Sequence, residues 1–444
     1  MIEALFSIAL AIVWIVVGTS LFKLHPFLVL FSAALALAFL LGIPAMESLL
    51  LLQKGFGNLI QNIGLLILFG TIIGVALEKS KATLAIANGI LLYVKRLPLP
   101  YAVSLMGYLI SIPVFCDAAF VILSQLNKTL AKKTKTPLIG LTVALSTGLF
   151  APHVLVPPTP GPLAAASNLH LANLALLIGM GALVALVLVL VGAAYGHYLA
   201  KKNIHRVIET PAETEFSIDT ALPKFRIALA PILVPILLMC FGTIIDLYPE
   251  TFAFLKFVRW LTTPTMALAI GMVLSFLGSP KNKRAFINES ISKGIQQAAS
   301  ILLITGMGGA LGSILSTVPL GEYAQGFSSF DGWGLCIPFL IAALLKTAQG
   351  SSTVAMITAS SILYPLLPLF GLDSEMGKVW AILAIGVGSM TVSHANDSYF
   401  WIVTQMGGLD VKTAYRSHTI GTLLQGIVGL ATVLIGYTLW LWFR

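Results

Sequence analysis

Two short polar runs stand inside otherwise apolar segments: Gln349-Gly350-Ser351-Ser352-Thr353 and Ser393-His394-Ala395-Asn396-Asp397. The first gathers three hydroxyls, a side-chain amide and backbone N–H groups beside a glycine. A helix starting at Ser351 or Ser352 would aim its positive dipole end at that point, which suits an anion such as a carboxylate. The plainer alternative is Ser/Thr packing between helices, the usual role of small residues in membrane spans. Lys346, three residues upstream, tilts the balance towards binding. An ionised side chain at mid-bilayer costs roughly 2.5–3.5 kcal/mol on insertion scales, so it needs a partner or water. Lys346 therefore either meets a substrate carboxylate or snorkels to an interface.

The second run groups two titratable residues with an amide. Asp397 can exchange a proton, because burial raises a carboxylate's pKa and a nearby cation lowers it. His394 can do the same from its higher ordinary value. The alternative is a fixed network in which Asp397 stays paired with Lys346 or His394. Ser393 and Asn396 add binding groups.

Each run has a counterpart in the first half of the chain: Pro113-Val114-Phe115-Cys116-Asp117, then Pro157-Pro158-Thr159-Pro160-Gly161-Pro162. Asp117 is a further proton-carrying candidate, or else a helix cap. The proline-rich run cannot be regular helix, because most positions lack a donor and fix φ. Carbonyls should be left free there, with Thr159 and Gly161 at the cavity. His153, one turn earlier, reads more readily as a hydrogen-bonded structural residue than as a site residue. Backbone breaks survive in a membrane only where they are buried in protein or line a cavity. Paired breaks in two repeats point to a transporter's binding site.

A rival reading makes Ser351 or Ser352 the nucleophile of an intramembrane serine hydrolase, with His394 and Asp397 as base and orienter. It explains neither the duplication nor the proline-rich break. Spacings for a metal site, a P-loop or a dinucleotide fingerprint are missing from the sequence, so no cofactor is expected. The three cysteines (Cys116, Cys240, Cys336) form no disulfide framework.

The elements that position these residues must be membrane helices. The chain is 58% hydrophobic and only 10% charged over 444 residues, against about 25% charged in soluble proteins. The +9 net charge sits in short loops, as the positive-inside rule requires, and does not indicate nucleic acid. Spans of about 20 apolar residues fall at 4–22, 26–43, 57–77, 137–165, 172–199, 226–246, 252–277, 292–315, 376–405 and 418–442. Residues 101–127 and 334–364 break too early in each arm to cross. They read as re-entrant hairpins, with a broken crossing helix as the alternative. The expected architecture is an all-α polytopic membrane protein of two inverted repeats. Each holds about five transmembrane helices and one re-entrant hairpin, with broken helices at the midplane.

The first repeat is 1–200, with hairpin 101–127 and broken helix 137–165. A cytoplasmic linker, 201–225, leads to the second repeat, 226–444, with hairpin 334–364 and broken helix 376–405. At a fixed offset Gln61 falls on Gln296 and Gly74 on Gly309, and the Pro113–Asp117 break falls on Ala348–Ser352. Short amphipathic pieces are expected at 82–95 and 318–331. With both termini outside, Lys23, Lys79 to Arg96, Lys128 to Lys135, Lys201 to Arg206, Lys281 to Arg284, Lys412 and Arg416 land inside. Glu47, Asp246, Glu250, Glu322, Asp373 and Glu375 land outside. Gln61, Asn62, Gln296 and Gln297 are expected to bond neighbouring helices, and Gly306, Gly308, Gly309 and Gly312 to allow close packing.

The segments QGSSTVA (349–355), PVFCDAAF (113–120), PPTPGPLAAA (157–166) and SHANDSYFW (393–401) resemble, in order, the characteristic stretches of the gluconate permease family of gluconate:proton symporters. The resemblance covers essentially the whole chain and places it in the wider ion-transporter group. It implies proton-coupled uptake of gluconate or a related small hydroxy- or amino-acid anion across a bacterial inner membrane. It also implies an elevator-type motion and a homodimer. Lys346, Gln349, Gly350, Ser351, Ser352, Thr353, Thr159, Gly161, Ser393 and Asn396 would bind substrate, and Asp117, His394 or Asp397 would carry the proton. The Ser-Asn-Thr tips of sodium-coupled dicarboxylate members are missing from this sequence, which favours protons. Cys116 and the threonine in the proline-rich run depart from common members. Sodium coupling, or a D-serine, glycerate or dicarboxylate substrate, is the alternative within the same fold.

Overall fold

The computed structural model describes residues 2–93, 96–202, 222–245, 253–278, 283–318 and 334–443. The expected linker and the piece at 318–331 lie almost wholly outside these residues, as do Asp246, Glu250, Lys281 and Glu322. The regular elements among the described residues are all helices, the one way to pair every backbone group within a single apolar segment. Seven helices are long and apolar enough to cross a membrane, or eight if one bent pair is a single span. The chain is a multi-pass membrane protein.

The first half runs α1 (Ile2–Ser20), α2 (Pro26–Leu40), α3 (Ala45–Lys79), α4 (Ala82–Tyr93), α5 (Leu99–Ile110), α6 (Cys116–Thr134), α7 (Leu138–Leu155), α8 (Pro160–Asn168) and α9 (Leu174–Lys202). The second runs α10 (Phe225–Ile245), α11 (Ala253–Thr262), α12 (Pro264–Ser275), α13 (Lys283–Leu315), α14 (Cys336–Gln349), α15 (Ser352–Leu363), α16 (Glu375–Met390), α17 (Ser398–Met406) and α18 (Val411–Trp442). Helix α18 contains a π-turn at Tyr415–Thr419. In each half a long helix precedes two interrupted helix pairs and a final long helix.

Three expected spans differ in detail. Helices α3 and α13 extend well before the expected starts at 57 and 292, because polar residues such as Lys54 and Glu289 ride on helical faces that the apolar pattern alone does not count. The 252–277 span bends by 69° between Thr262 and Pro264. Thr263 is the cap there and Pro264 starts α12, where a missing N–H is harmless.

Helices α3 and α13 pack antiparallel along much of their length. A Cβ on Gly55 would lie 2.5 Å from the Gly309 carbonyl oxygen, and one on Gly309 would lie 2.7 Å from that of Gly55. Gly306 meets the Phe56 ring and Gly308 meets Ile357, so these glycines do permit close packing. Gly312 instead borders open space. Helix α2 packs on α13 and α12 packs on α3. Across the halves α7 meets α16, α8 meets α15, α6 meets α17 and α9 meets α18. Contacts also join loops predicted to share a membrane side. Ala172 N–H donates to Glu375 (3.0 Å), Lys378 donates to the His170 carbonyl (3.0 Å), and Lys79 pairs with Glu289 at the opposite end. Gln61, Asn62, Gln296 and Gln297 are exposed, and no described hydrogen bond uses their side chains, contrary to the expected helix-bridging role.

Candidate site at the four helix breaks

Four interruptions position the site: 111–115 between α5 and α6, 156–159 between α7 and α8, 350–351 between α14 and α15, and 391–397 between α16 and α17. At the third, Gly350 takes φ +77°, the left-handed conformation that favours glycine, and ends α14. Ser351 then caps α15, its hydroxyl accepting from Val354 N–H at 3.3 Å. A Cβ on Gly350 would collide with the Asn396 backbone, so the third and fourth breaks touch directly. The Asn396 amide also donates to the Thr347 carbonyl.

Lys346 does not snorkel. It is 1% exposed and pairs with Asp397 at 2.5 Å. Its ammonium also donates to the Gly350 carbonyl (3.1 Å) and lies 5.6 Å from the centroid of the Phe150 ring on α7. Asp397 is equally enclosed. Ser393 donates to it at 2.6 Å, and Tyr399 N–H donates at 3.0 Å as Asp397 caps α17. Asp397 is paired here with Lys346 and not with His394.

The first-half breaks adjoin each other, and the second of them leads into α8, which packs on α15. Phe115 lies beside His153, the two rings tilted with centroids 5.9 Å apart. A Cβ on Gly161 would meet Met356 and Thr353 of α15, 2.7 Å from the Met356 sulfur. Helix α3 passes both breaks through glycines, Gly74 against Pro113 and Gly70 against Pro158. Thr159 borders a small recess with Gly70, Thr71, Pro113 and Phe115. Asp117, His153, His394 and His418 all lie within reach of the charges on Lys346 and Asp397.

Several expectations change. Asp117 makes no capping bond; it sits in the first turn of α6, where Phe115 is the cap, and its nearest polar contact is the Cys116 sulfur at 3.8 Å. Pro160 and Pro162 lie inside α8, whose first-turn N–H groups would be unpaired anyway. Only 156–159 is broken. The Thr159 hydroxyl turns back to the Val156 carbonyl (2.7 Å). His153 is buried, and its Nδ1 has no hydrogen-bond partner among the described residues, so it is not the hydrogen-bonded structural histidine expected. Both amide atoms of Gln349 are likewise buried without a partner among these residues. Such groups cost free energy unless something bonds them. Ser352 is buried, while Thr353 and His394 are partly exposed.

Sequence reasoning missed a buried chain behind Asp397. Ser393 Oγ contacts His418 Nε2 (3.2 Å), and His418 Nδ1 contacts Ser146 Oγ on α7 (3.0 Å). Tyr399 donates its hydroxyl to the Ser146 carbonyl at 2.9 Å. The available signal was a histidine in an apolar span, the same signal that singled out Lys346.

A family model described as GntP family permease matches residues 3–439. The chain belongs to the GntP permease family. It is a membrane transporter, not an enzyme. An uncharacterized permease of Haemophilus influenzae is 33% identical, with 93% of this chain and 88% of the relative covered. The D-serine transporter DsdX of Escherichia coli is 30% identical, covering 96% of each chain. A gluconate permease of Pseudomonas aeruginosa is 29% identical, covering 96% of this chain and 95% of that one. Among solved structures, the Alcanivorax borkumensis YdaH transporter shares the fold with a TM-score of 0.68 at 14% identity, covering 94% of this chain and 99% of that one.

Proposed function

We propose that this protein is a secondary active transporter that takes up gluconate, or a related small hydroxycarboxylate, together with protons. The buried Lys346–Asp397 pair at the meeting of four helix breaks carries the reading. Two charges held out of water must stay balanced, and removing one partner's charge strands the other. A proton on Asp397 frees Lys346 to take the substrate carboxylate instead. Without substrate Lys346 would be a lone buried cation, so proton and anion enter together. Ser351, Ser352, Thr353, Asn396 and the unpaired Gln349 amide then bind hydroxyl groups, with Gly350, Thr159, Gly161 and Ser393 shaping the site. Asp117 and His394 are the remaining proton carriers. The proton is the coupling ion and no cofactor takes part.

The recurring helix order and the paired contacts of α2 with α13 and α12 with α3 support two inverted repeats, 1–200 and 226–444. The arms 101–127 and 334–364 are re-entrant hairpins entering from opposite faces. They move with the broken helices 137–165 and 376–405 past α3 and α13, in an elevator motion within a homodimer. Both termini lie outside the bacterial inner membrane, and the linker 201–225 lies in the cytoplasm.

A D-serine substrate is the second reading, favoured by the 30% identity to a D-serine transporter. Gluconate and D-serine both carry a carboxylate with an adjacent polar group. A thermal-shift screen of the purified protein against gluconate, other sugar acids, glycerate, D-serine and dicarboxylates separates them, because a true ligand stabilises by mass action. Stabilisation by gluconate or a close relative is expected. Response to D-serine alone moves the assignment to amino acids, and response to none of these compounds defeats the carboxylate reading.

A further inference from the structure

A cavity of about 330 Å³ lies away from the four breaks, between α3 and α13 on one side and the ends of α8 and α15 on the other. That volume falls within the range of small-molecule sites, about 300–1,000 Å³. None of its lining residues belongs to a break. Lys54, Asn58 and Asn62 project from successive turns of α3, Ser313 comes from α13, and Ser316 follows that helix's end. His170 and Tyr364 pair their rings at 4.4 Å along its edge. Among the described residues the lining contains no carboxylate. Lys378, which reaches the His170 carbonyl, is neutralised by Glu375 at 3.2 Å. Lys54 takes part in none of the described ion pairs or hydrogen bonds, and neither do the Asn58 and Asn62 amides. Ser167 adds a buried hydroxyl with no partner among the described residues. Asn168 fixes the far wall, its amide donating to the Ile357 carbonyl (3.1 Å) and to the hydroxyls of Ser360 (2.8 Å) and Ser361 (2.9 Å).

We propose that this cavity is a second anion site, in which Lys54 receives the carboxylate of a small hydroxy acid and the Asn58, Asn62 and Ser167 side chains bond its hydroxyls. One unpaired cation among neutral donors and acceptors selects one negative charge and leaves the rest of the ligand to hydrogen bonds. The assignment of a hydroxy acid rests on the function proposed above. On the proposed topology the cavity opens to the outer face, on the side of Glu47 and Glu375, and passes substrate inward. Helices α3 and α13 form one wall and the moving elements the other, so the site exists only while the transporter faces outward.

Ser316 is exposed and lines the cavity, so Ser316→Cys provides a reporter. Its labelling rate is measured in detergent with anionic and cationic thiosulfonates, against the parent protein's three native cysteines as background. The anionic reagent should react faster by about tenfold. Adding Lys54→Glu should reverse the order, and gluconate should slow labelling of the Ser316→Cys protein but not of Ser316→Cys combined with Lys54→Gln. Equal rates for the two reagents, or an order unchanged by Lys54→Glu, would overturn the site whether or not the protein transports gluconate. Labelling as expected in a protein that takes up no hydroxy acid would keep the anion site and defeat the transport reading alone. In proteoliposomes Lys54→Gln should raise the KM for uptake about fivefold with an unchanged maximal rate, and Lys54→Arg should restore it. A fall in maximal rate that Lys54→Arg does not restore would make Lys54 a structural residue.

Discussion

Lys346 and Asp397 hold each other's charge in a place where neither could be ionised alone. Lys346→Met should lower stability by about 3–5 kcal/mol, because it strands a buried carboxylate. Adding Asp397→Leu should recover most of that loss while leaving transport dead. Thermal unfolding of the purified variants checks this, and a double variant no more stable than Lys346→Met would deny the coupling. The polar runs made Lys346, Asp397, Ser393 and Asn396 legible in the sequence, since breaks and charges stand out against apolar surroundings. His418 was marked only as an ionisable residue in an apolar span, and Ser146 and Asn168 were not legible. Each lies within a helix and not at a break, and its partners lie far away along the chain. His418→Gln keeps a polar group of similar reach; it should leave folding intact and slow gradient-driven uptake more than exchange. Equal effects on both would confine His418 to packing.

At the scale of elements, helix breaks set the site, and Gly350 is the tightest joint. A left-handed conformation costs an L-residue about 1–2 kcal/mol, and a side chain at Gly350 also collides with Asn396. Gly350→Ala should cut uptake about tenfold or more. Gly42→Ala is the control, because Gly42 has a similar φ of +72° with nothing within 4 Å of the new Cβ. It should cost stability while sparing uptake; equal uptake in the two variants would remove the Gly350–Asn396 contact from the account. Breaks at Pro113, Pro157 and Gly350 could be read directly, because proline and glycine act locally. The starts of α3 and α13 could not. Lys54 and Glu289 interrupt the apolar pattern without interrupting the helix, since each lies on an exposed face.

Across the whole molecule, two long helices cross through reciprocal glycines and the four breaks gather on one side of them. An elevator motion requires α15 to slide past α13, whereas α3 and α13 stay together. Gly308 and Ile357 face each other across that boundary, with a Cβ on Gly308 only 2.6 Å from the isoleucine side chain. A disulfide between Gly308→Cys and Ile357→Cys should stop uptake, and reduction should restore it. Full transport by the oxidised protein would exclude sliding at this interface. The helix order of the two halves was visible in the sequence as matched interruptions. The antiparallel seating of α3 on α13 was not, because it depends on contacts between residues far apart in the chain.

The central claim is that proton and sugar acid cross together through the Lys346–Asp397 site. Uptake of labelled gluconate into proteoliposomes, with and without an inward proton gradient, tests it most directly. Wild-type protein should concentrate gluconate above equilibrium only while the gradient lasts. Asp397→Asn should lose that accumulation yet still exchange internal for external substrate. Accumulation that survives collapse of the gradient, or an Asp397→Asn protein that still concentrates substrate, would contradict the account.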